Sequence, residues 1–188
     1  MSFFLLYISC SRERGCSVIK TLAIALSVFT FLPALFSAED TIQRPNIVLI
    51  MADDLGYGDL SCYGSQNCET PHLDRLAANG IRFTDFHSSG AVCSPTRAGL
   101  LTGRYQQRAG IDGVVYADPE KNRHHGLQKN EITLAQCLQD AGYQTGMFGK
   151  WHLGYQRQYN PTFRGFQQFV GYVSGNVDYF AHLDGTGV

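Results

Sequence analysis

The chain has 188 residues, of which 44% are hydrophobic and 16% are charged, so it is long enough and apolar enough to form a globular domain rather than a disordered segment. Its 15 basic residues nearly balance its 16 acidic residues, and no basic run is present. Nucleic acids and acidic membrane surfaces are therefore not expected as partners.

The beginning of the chain has the order of an export signal. Three basic residues precede an uncharged apolar run over residues 21–36, and two small residues follow it. We predict a signal peptide over residues 1–38, with residues 39–188 exported to the periplasm or the extracellular space. A retained membrane anchor is the alternative. The run is short for a bilayer span and Pro33 interrupts it, so stable membrane insertion is not expected.

Strand and helix patterns alternate through the rest of the chain. Apolar runs without strict alternation indicate strands that are covered on both faces. Two of the three predicted helices begin at a Thr-Pro or Ser-Pro pair, and all three end near a glycine. This alternation predicts an α/β fold with a largely parallel sheet. The predicted strands are residues 46–52, 81–87 and 144–149, and the predicted helices are residues 71–79, 95–101 and 132–141.

Polar pairs follow two of these strands. Asp53 and Asp54 come directly after the first strand, and Lys150 and His152 come after the third. Ligands of such sheets bind beyond the carboxyl ends of the strands, so we expect the two pairs to converge. An extended backbone at 150–152 would turn both basic side chains to one side. The carboxylates suit Ca²⁺ or Mg²⁺, and a solvated turn is the alternative.

Cys93 lies at the amino end of the second predicted helix, where free N–H groups and the helix dipole favour an anion. Arg97 adds a permanent charge whose fork geometry suits an oxyanion. The alternative is a plain buried cysteine. A second alternative is two disulfides among the four cysteines that follow the predicted signal peptide. These are Cys62, Cys68, Cys93 and Cys137.

Several long stretches together resemble one family, the type I sulfatases. Residues 93–104 (CSPTRAGLLTGR) contain the CxPxR pattern of the family's first signature, and residues 142–154 (GYQTGMFGKWHLG) resemble its second. Residues 44–59 and 70–77 are similar to the family as well. The resemblance covers residues 44–188.

The resemblance implies an alkaline-phosphatase-like α/β fold, with a largely parallel sheet between helices, truncated at the carboxyl side. It implies a sulfuric ester hydrolase, similar to arylsulfatases and N-acetylgalactosamine-6-sulfatases, that acts on sulfate esters, including those of sulfated carbohydrates. A maturation enzyme converts the motif cysteine to formylglycine. One hydroxyl of the aldehyde hydrate attacks sulfur, and the other then expels sulfate as the aldehyde reforms.

The resemblance also assigns roles to single residues. Asp53 and Asp54 hold a Ca²⁺ ion that contacts the modified Cys93 as well. Two side chains stabilise the charge on formylglycine and sulfate, and a histidine donates or accepts a hydrogen bond at a hydroxyl of the hydrate. The implied catalytic residues are the nucleophile precursor Cys93, the cations Arg97 and Lys150, and His152.

Family members continue well beyond this length. By the resemblance, the remaining metal ligands, a histidine that protonates the leaving group and a second lysine lie in that later part. The alternative function is therefore a catalytically inactive sulfatase fragment. A phosphatase or phosphonate hydrolase of the same superfamily is a further rival, which the CxPxR pattern disfavours. Polar residues within 174–182 either line the substrate pocket or form an ordinary surface loop.

Overall fold

The structure is a computed structural model that describes residues 3–10 and 44–183. Its sheet has four strands in the order β2-β1-β3-β4. The strands are β1 (Phe3–Cys10), β2 (Ile47–Ala52), β3 (Tyr143–Lys150) and β4 (Gln168–Tyr172), and the α-helices are α1 (Pro71–Asn79), α2 (Cys93–Thr102) and α3 (Leu134–Asp140). Short 3-10 helices lie at Tyr57–Asp59, Ser61–Tyr63, Arg157–Tyr159 and Pro161–Phe163.

Three of the four strands run in the same direction. β1 is antiparallel to both of its neighbours, β2 and β3, and β3 is parallel to β4. β2, β3 and β4 are therefore mutually parallel, which confirms the predicted largely parallel sheet, with β1 as the exception. In β1, Phe4 pairs with Met51 on one side and with Gly149 on the other. This register brings the carboxyl ends of β2 and β3 to the same edge of the sheet.

The core lies between β3 and the helices. Trp151, at the end of β3, is 1% exposed, and its ring meets the edge of Phe166 at 6.2 Å between centroids. α3 begins with a capping box, in which Thr133 accepts from the N–H of Gln136 and Gln136 accepts from the N–H of Thr133. This box fixes the start of the helix that packs against β3.

Most helix and strand predictions are confirmed, with small shifts at their ends. α2 begins at Cys93 rather than at Pro95, and Gly103 closes it in the left-handed region at φ 64°. This φ is easy for glycine, which has no Cβ. α1 ends before Gly80 as predicted, although the Thr70 side chain bonds Asp74 and Ser61 instead of capping the helix.

The predicted strand at residues 81–87 is wrong. Ile81, Phe83 and Phe86 are 85%, 63% and 71% exposed, and this segment pairs with no strand among the described residues. An apolar run forms a strand only where a neighbouring strand satisfies its backbone groups. β4 was not predicted: Phe169, Val170 and Tyr172 favour a strand, but the segment is only five residues long and Gly171 interrupts it.

β1 lies inside the segment predicted to be a signal peptide. The structure pairs its backbone with β2 and β3 along most of its length. Residues 11–38 of that segment lie outside the described residues, so the signal peptide stays a prediction. Within residues 3–10 and 44–183, no helix has the length and apolar character needed to cross a membrane.

Candidate active site

Asp53 joins two buried cations at the carboxyl end of β2. Its Oδ2 accepts from Lys150 Nζ at 2.7 Å, and its Oδ1 lies 3.4 Å from Arg97 Nη2. Arg97 Nη1 also donates to the carbonyl oxygen of Lys150 at 2.5 Å. Arg97 is 2% exposed and Lys150 4%, so the carboxylate compensates two charges that water does not reach.

The electrostatics of these groups reflect burial and charge pairing together. Burial alone would raise the pKa of Asp53, but the hydrogen bond and charge of Lys150, together with Arg97, hold that pKa below its ordinary value. Burial lowers the pKa of Arg97, and the nearby Asp53 carboxylate opposes the shift. The carboxylate is therefore ionised at physiological pH and pairs with the guanidinium.

Cys93 opens α2 on the wall of a cavity of about 1150 Å³. Asp53 and Asp54 line the same cavity, so the structure brings the predicted nucleophile precursor and the predicted carboxylate pair together. Asp54 is exposed and has a left-handed backbone at φ 60°. Aspartate is one of the few residue types that tolerate this region, because its short side chain bonds locally.

His152 is 3% exposed and sits just beyond the end of β3. Its backbone has φ 58°, so residues 150–152 are not extended, and the period-of-two argument for Lys150 and His152 is wrong. The imidazole Nε2 lies 2.9 Å from the carbonyl oxygen of Val115. A carbonyl only accepts, so Nε2 carries the proton. Burial, and next the charge of Lys150, lowers the pKa of His152 to about 4, so the ring is neutral.

The neutral tautomer leaves Nδ1 as an acceptor. Within the described residues, this buried nitrogen has no hydrogen-bond partner. A buried polar atom without a partner is costly in a folded protein, and such atoms concentrate where a ligand or reacting group completes the bonding. His152 Nδ1 is therefore suited to accept a hydrogen bond from a hydroxyl.

The carboxylate oxygens of Asp53 and Asp54 are the type of ligand that a hard cation such as Ca²⁺ prefers. A carboxylate has about four lone-pair positions, so Asp53 can keep its two cations and still offer an oxygen, and Asp54 offers two more. Residues 44–183 contain no group of three or more His, Cys, Asp or Glu side chains placed to hold a metal ion. Ca²⁺ takes about 6–8 oxygens, so these two carboxylates would form part of a shell.

None of the four cysteines that follow the predicted signal peptide is in a disulfide. Cys93 is half-buried, whereas Cys68 and Cys137 are exposed. The two-disulfide alternative is therefore wrong for this structure. An unbridged cysteine on a cavity wall is open to chemical modification.

Three residues that contact the predicted site residues were not predicted from the sequence: Ser94, Val115 and Gly175. Ser94 Oγ accepts from the N–H of Val115 at 3.2 Å, and Val115 in turn accepts from His152. Gly175 lies against the imidazole, and its N–H donates to the Tyr155 hydroxyl at 3.3 Å. No local signal marks Val115 or Gly175, because both act through contacts that are distant in sequence. The polar residues of the 174–182 loop do not line the cavity that contains Cys93.

Comparison with known proteins gives a consistent result. Residues 45–186 match the Sulfatase family. The chain is 44% identical to arylsulfatase G of Rattus norvegicus over 149 residues, which are 79% of this chain and 28% of that protein. It is 50% identical to arylsulfatase A of Homo sapiens over 131 residues, which are 69% of this chain and 25% of that protein.

Solved structures agree on the fold. The crystal structure of Ps i-CgsB in complex with k-i-k-neocarrahexaose matches with a TM-score of 0.62 and 35% identity, over 68% of this chain and 28% of that one. The chain spans about a quarter of the length of the curated relatives it matches. The family match over residues 45–186 nonetheless covers most of this chain and includes Asp53, Asp54 and Cys93. The chain belongs to the Sulfatase family.

Proposed function

We propose that the chain carries the nucleophile half of the active site of an exported, arylsulfatase-like sulfuric ester hydrolase. One observation carries the proposal: Cys93 begins α2 on a cavity wall shared with Asp53 and Asp54. The buried cations Arg97 and Lys150 are bonded to that carboxylate pair through Asp53. A tetrahedral anion next to Cys93 would meet a helix amino terminus and two permanent charges.

Formylglycine derived from Cys93 would supply the nucleophile, since one hydroxyl of its hydrate attacks sulfur while the ester S–O bond breaks, and the other expels sulfate as the aldehyde reforms. Cys93 fits this modification because it is unbridged and faces the cavity. It also precedes Pro95 and Arg97 in the CxPxR spacing. A formylglycine-generating enzyme is therefore a proposed partner.

Arg97 and Lys150 stabilise negative charge on the oxygens around sulfur. Both are held in place before the reaction, since Arg97 bonds the backbone of Lys150 and both bond Asp53. Charges that are already oriented need no reorganisation when the transition state forms. Their burial strengthens the effect, because little water screens them.

His152 accepts a hydrogen bond from a hydroxyl of the hydrate through Nδ1. The neutral ring is the form required, and the low pKa of His152, about 4, keeps it neutral at physiological pH. Holding a hydroxyl proton at this nitrogen favours the step in which that hydroxyl loses it.

Asp53 and Asp54 would hold a calcium ion, with the modified Cys93 as a further ligand. When bound, the ion supplies a positive charge that stabilises oxygen anions near the nucleophile. The remaining ligands would come from outside the two carboxylates described here, in agreement with the length of the relatives.

The matched relatives carry arylsulfatase names, which supports a sulfate ester substrate over the phosphate or phosphonate ester of the rival interpretation. The structure of Ps i-CgsB contains a bound carbohydrate, k-i-k-neocarrahexaose. We extend the proposal to sulfated carbohydrates on this ground. Export would place the enzyme in the periplasm or the extracellular space.

A second candidate is a chain that belongs to the family but does not turn over. The cavity beside Cys93 is lined by only two carboxylates among the described residues, Asp53 and Asp54, which is few for Ca²⁺. None of the predicted site residues is an acid for the leaving group, and such an acid contributes about 10²–10⁴-fold to the rate.

Peptide mass spectrometry tests the modification. After co-expression with a formylglycine-generating enzyme, we expect the Cys93 peptide to carry the mass of formylglycine. The exposed Cys137, which lies in no CxPxR pattern, is the matched control in the same digest and should remain cysteine. A Cys93 peptide that stays entirely unmodified under these conditions would contradict the proposal.

Turnover of a chromogenic aryl sulfate separates the two candidates. We expect negligible turnover from the 188-residue chain with confirmed formylglycine and added Ca²⁺, and robust turnover once the chain is extended to the length of its relatives. Cys93→Ala is the control in both forms. Robust turnover by the 188-residue chain, absent from Cys93→Ala, would contradict the partial-site interpretation.

A further inference from the structure

Two residues, Val115 and Gly175, confine the Nε2 edge of the His152 imidazole. Val115 accepts its Nε2 proton at 2.9 Å, and Gly175 lies against the same edge of the ring. A Cβ at Gly175 would lie 2.6 Å from both Cε1 and Nε2 of His152. Real Cβ atoms essentially never approach other heavy atoms this closely, so any side chain there would displace the ring.

The backbones on either side have little freedom to relieve such a contact. His152 N–H donates to the carbonyl of Val173 at 3.2 Å, and Trp151 N–H donates to that of Tyr172 at 2.9 Å. The Gly175 N–H donates to the hydroxyl of Tyr155. The segment that carries Gly175 is thus tied to the one that carries His152, and the imidazole is the part left to move.

Gly175 is not among the glycines with positive φ. An alanine would therefore accept its backbone conformation without strain. The added methyl group would therefore clash with the His152 imidazole and not with its own backbone. This makes Gly175→Ala a specific probe of the position of the ring.

We propose that Gly175 is a positioning residue for His152: the missing side chain lets the Cε1–Nε2 edge of the ring lie against residue 175, with Nε2 on Val115 and Nδ1 free for the reacting hydroxyl. The inference rests on the proposed function for its catalytic meaning. Its structural content does not, since ring position can be measured without turnover.

The connection also reaches the nucleophile. Val115 N–H donates to Ser94 Oγ, and Ser94 is the neighbour of Cys93 in α2. Val115 therefore sets the distance between the start of α2 and the ring of His152. Gly175 leaves room for the Cε1–Nε2 edge of the ring, so that Nε2 can reach the Val115 carbonyl.

Imidazole ¹⁵N spectra of the 188-residue chain test the ring position. In the parent chain, His152 should give a neutral Nε2–H signal that is protected from solvent exchange, identified by its loss in His152→Ala. Gly175→Ala should remove the protection and shift the signal. Gly113→Ala is the matched control, because a Cβ there meets nothing within 4 Å, and it should leave the His152 signal unchanged.

A double-mutant cycle covers the case in which Gly175→Ala fails to fold. His152→Ala removes the ring, so adding Gly175→Ala to it should change the unfolding free energy little, whereas Gly175→Ala alone should be destabilising. If the double variant is as damaged as Gly175→Ala alone, or if Gly175→Ala leaves the His152 signal intact, the positioning inference is overturned.

Kinetics of the active, extended protein add the catalytic readout. Gly175→Ala should lower kcat by about 10²-fold with KM nearly unchanged, as expected when a reacting group is displaced by about 1 Å. An equal loss through KM alone would contradict positioning. If the extended protein without substitutions shows no turnover, while Gly175→Ala gives the predicted spectral change, the proposed function is contradicted and the role of Gly175 is supported.

Discussion

Asp53 has two tasks that its neighbour Asp54 does not share. Asp53 compensates the buried charges of Lys150 and Arg97, whereas Asp54 is exposed and is absent from the ion pairs of the described residues. Adjacent carboxylates in one motif therefore differ in what they contribute to the fold. Removing one partner of a buried ion pair leaves the other charge without compensation, which is costly.

We predict that Asp53→Asn lowers the free energy of unfolding by about 3 kcal/mol, while Asp54→Asn changes it by less than about 0.5 kcal/mol. Asparagine tolerates the left-handed backbone of Asp54, so that variant is a fair control. Denaturant unfolding in the presence of a chelator measures both without a contribution from calcium. Equal losses in the two variants would contradict the structural role assigned to Asp53.

His152 makes stability depend on pH. Its pKa is about 4 in the folded chain and 6.5 for an unperturbed histidine, so the unfolded chain binds more protons between these limits. The contribution of neutral His152 to the free energy of unfolding is therefore fully present above pH 6.5, and it is lost as the pH falls towards 4. Burial is the main cause of the lowered pKa, and the charges of Lys150 and Arg97 lower it further, whereas the Val115 carbonyl and Asp53 oppose the shift. The full effect is on the order of 3 kcal/mol, at about 1.4 kcal/mol for each pKa unit.

Denaturant unfolding at a series of pH values checks this effect. His152→Gln should flatten the slope between pH 4 and 6.5, because the amide does not titrate. His124→Gln, at an exposed histidine, should leave the slope as it is. The lowered pKa of Asp53 acts in the same direction but at lower pH, below the 3.8 of an unperturbed aspartate. A slope that survives in His152→Gln would exclude His152 as its source.

The residues of the site were predictable to the extent that they lie in local motifs. Cys93, Arg97 and Asp53 could be named from short patterns, and the cavity and ion pairs bring them together. The ring of His152 was misplaced, because a non-glycine residue with φ 58° has no reliable sequence signal. Gly175 and Val115 could not be named, since their importance comes from packing against a residue far along the chain.

At the scale of elements, prediction succeeded where the ends of an element carry chemical signals. α1, α2 and α3 have Pro or Thr near their starts and glycines beyond their ends. Residues 81–87 show the opposite case, since strand propensity without a partner strand leaves an exposed loop. A helix satisfies the hydrogen bonds of its own backbone, whereas a strand needs a neighbouring strand that the local sequence does not identify.

The capping box of α3 links the helix to the segment before β4. Thr133 Oγ1 accepts from the N–H of Gln136 and donates to the carbonyl oxygen of Arg164 at 2.7 Å, and the side chain is fully buried. Thr133→Ala should lower the free energy of unfolding by roughly 1–3 kcal/mol, because it leaves two buried polar groups without a partner.

Thr133→Ser is the matched control, since it keeps the hydroxyl and removes one methyl group. We expect it to recover most of the loss, at a remaining cost of about 1 kcal/mol for the missing methyl. Thermal and denaturant unfolding of the two variants measure the difference. Equal stability of Thr133→Ala and Thr133→Ser would show that the hydrogen bonds contribute little.

At the scale of the whole molecule, residues 3–10 lie in the predicted signal peptide and also form a strand of the sheet. β1 fills the position between β2 and β3, and among the described residues it is the only strand that pairs with β2. Cleavage after residue 38 would remove it. The four-stranded sheet with β1 would then belong to the chain before cleavage.

A chain that starts at Glu39 should therefore have a different sheet. Without β1, β2 loses its strand partner, and β3 keeps β4 on its other side. The backbone groups of β2 would be unpaired, next to side chains such as Val48 and Ile50 that are already 55% and 59% exposed. Unpaired apolar edges promote association between chains.

We predict that, in hydrogen exchange, the amides of Ile47–Ala52 lose protection in the chain from Glu39, while those of Gln168–Tyr172 change little. The second segment is the internal control, because its pairing with β3 does not involve β1. The shortened chain should also associate in a concentration-dependent way, which light scattering detects. If β2 stays equally protected in a monomeric chain from Glu39, then another pairing satisfies its backbone, and β1 is dispensable to the sheet that holds Asp53 next to Lys150.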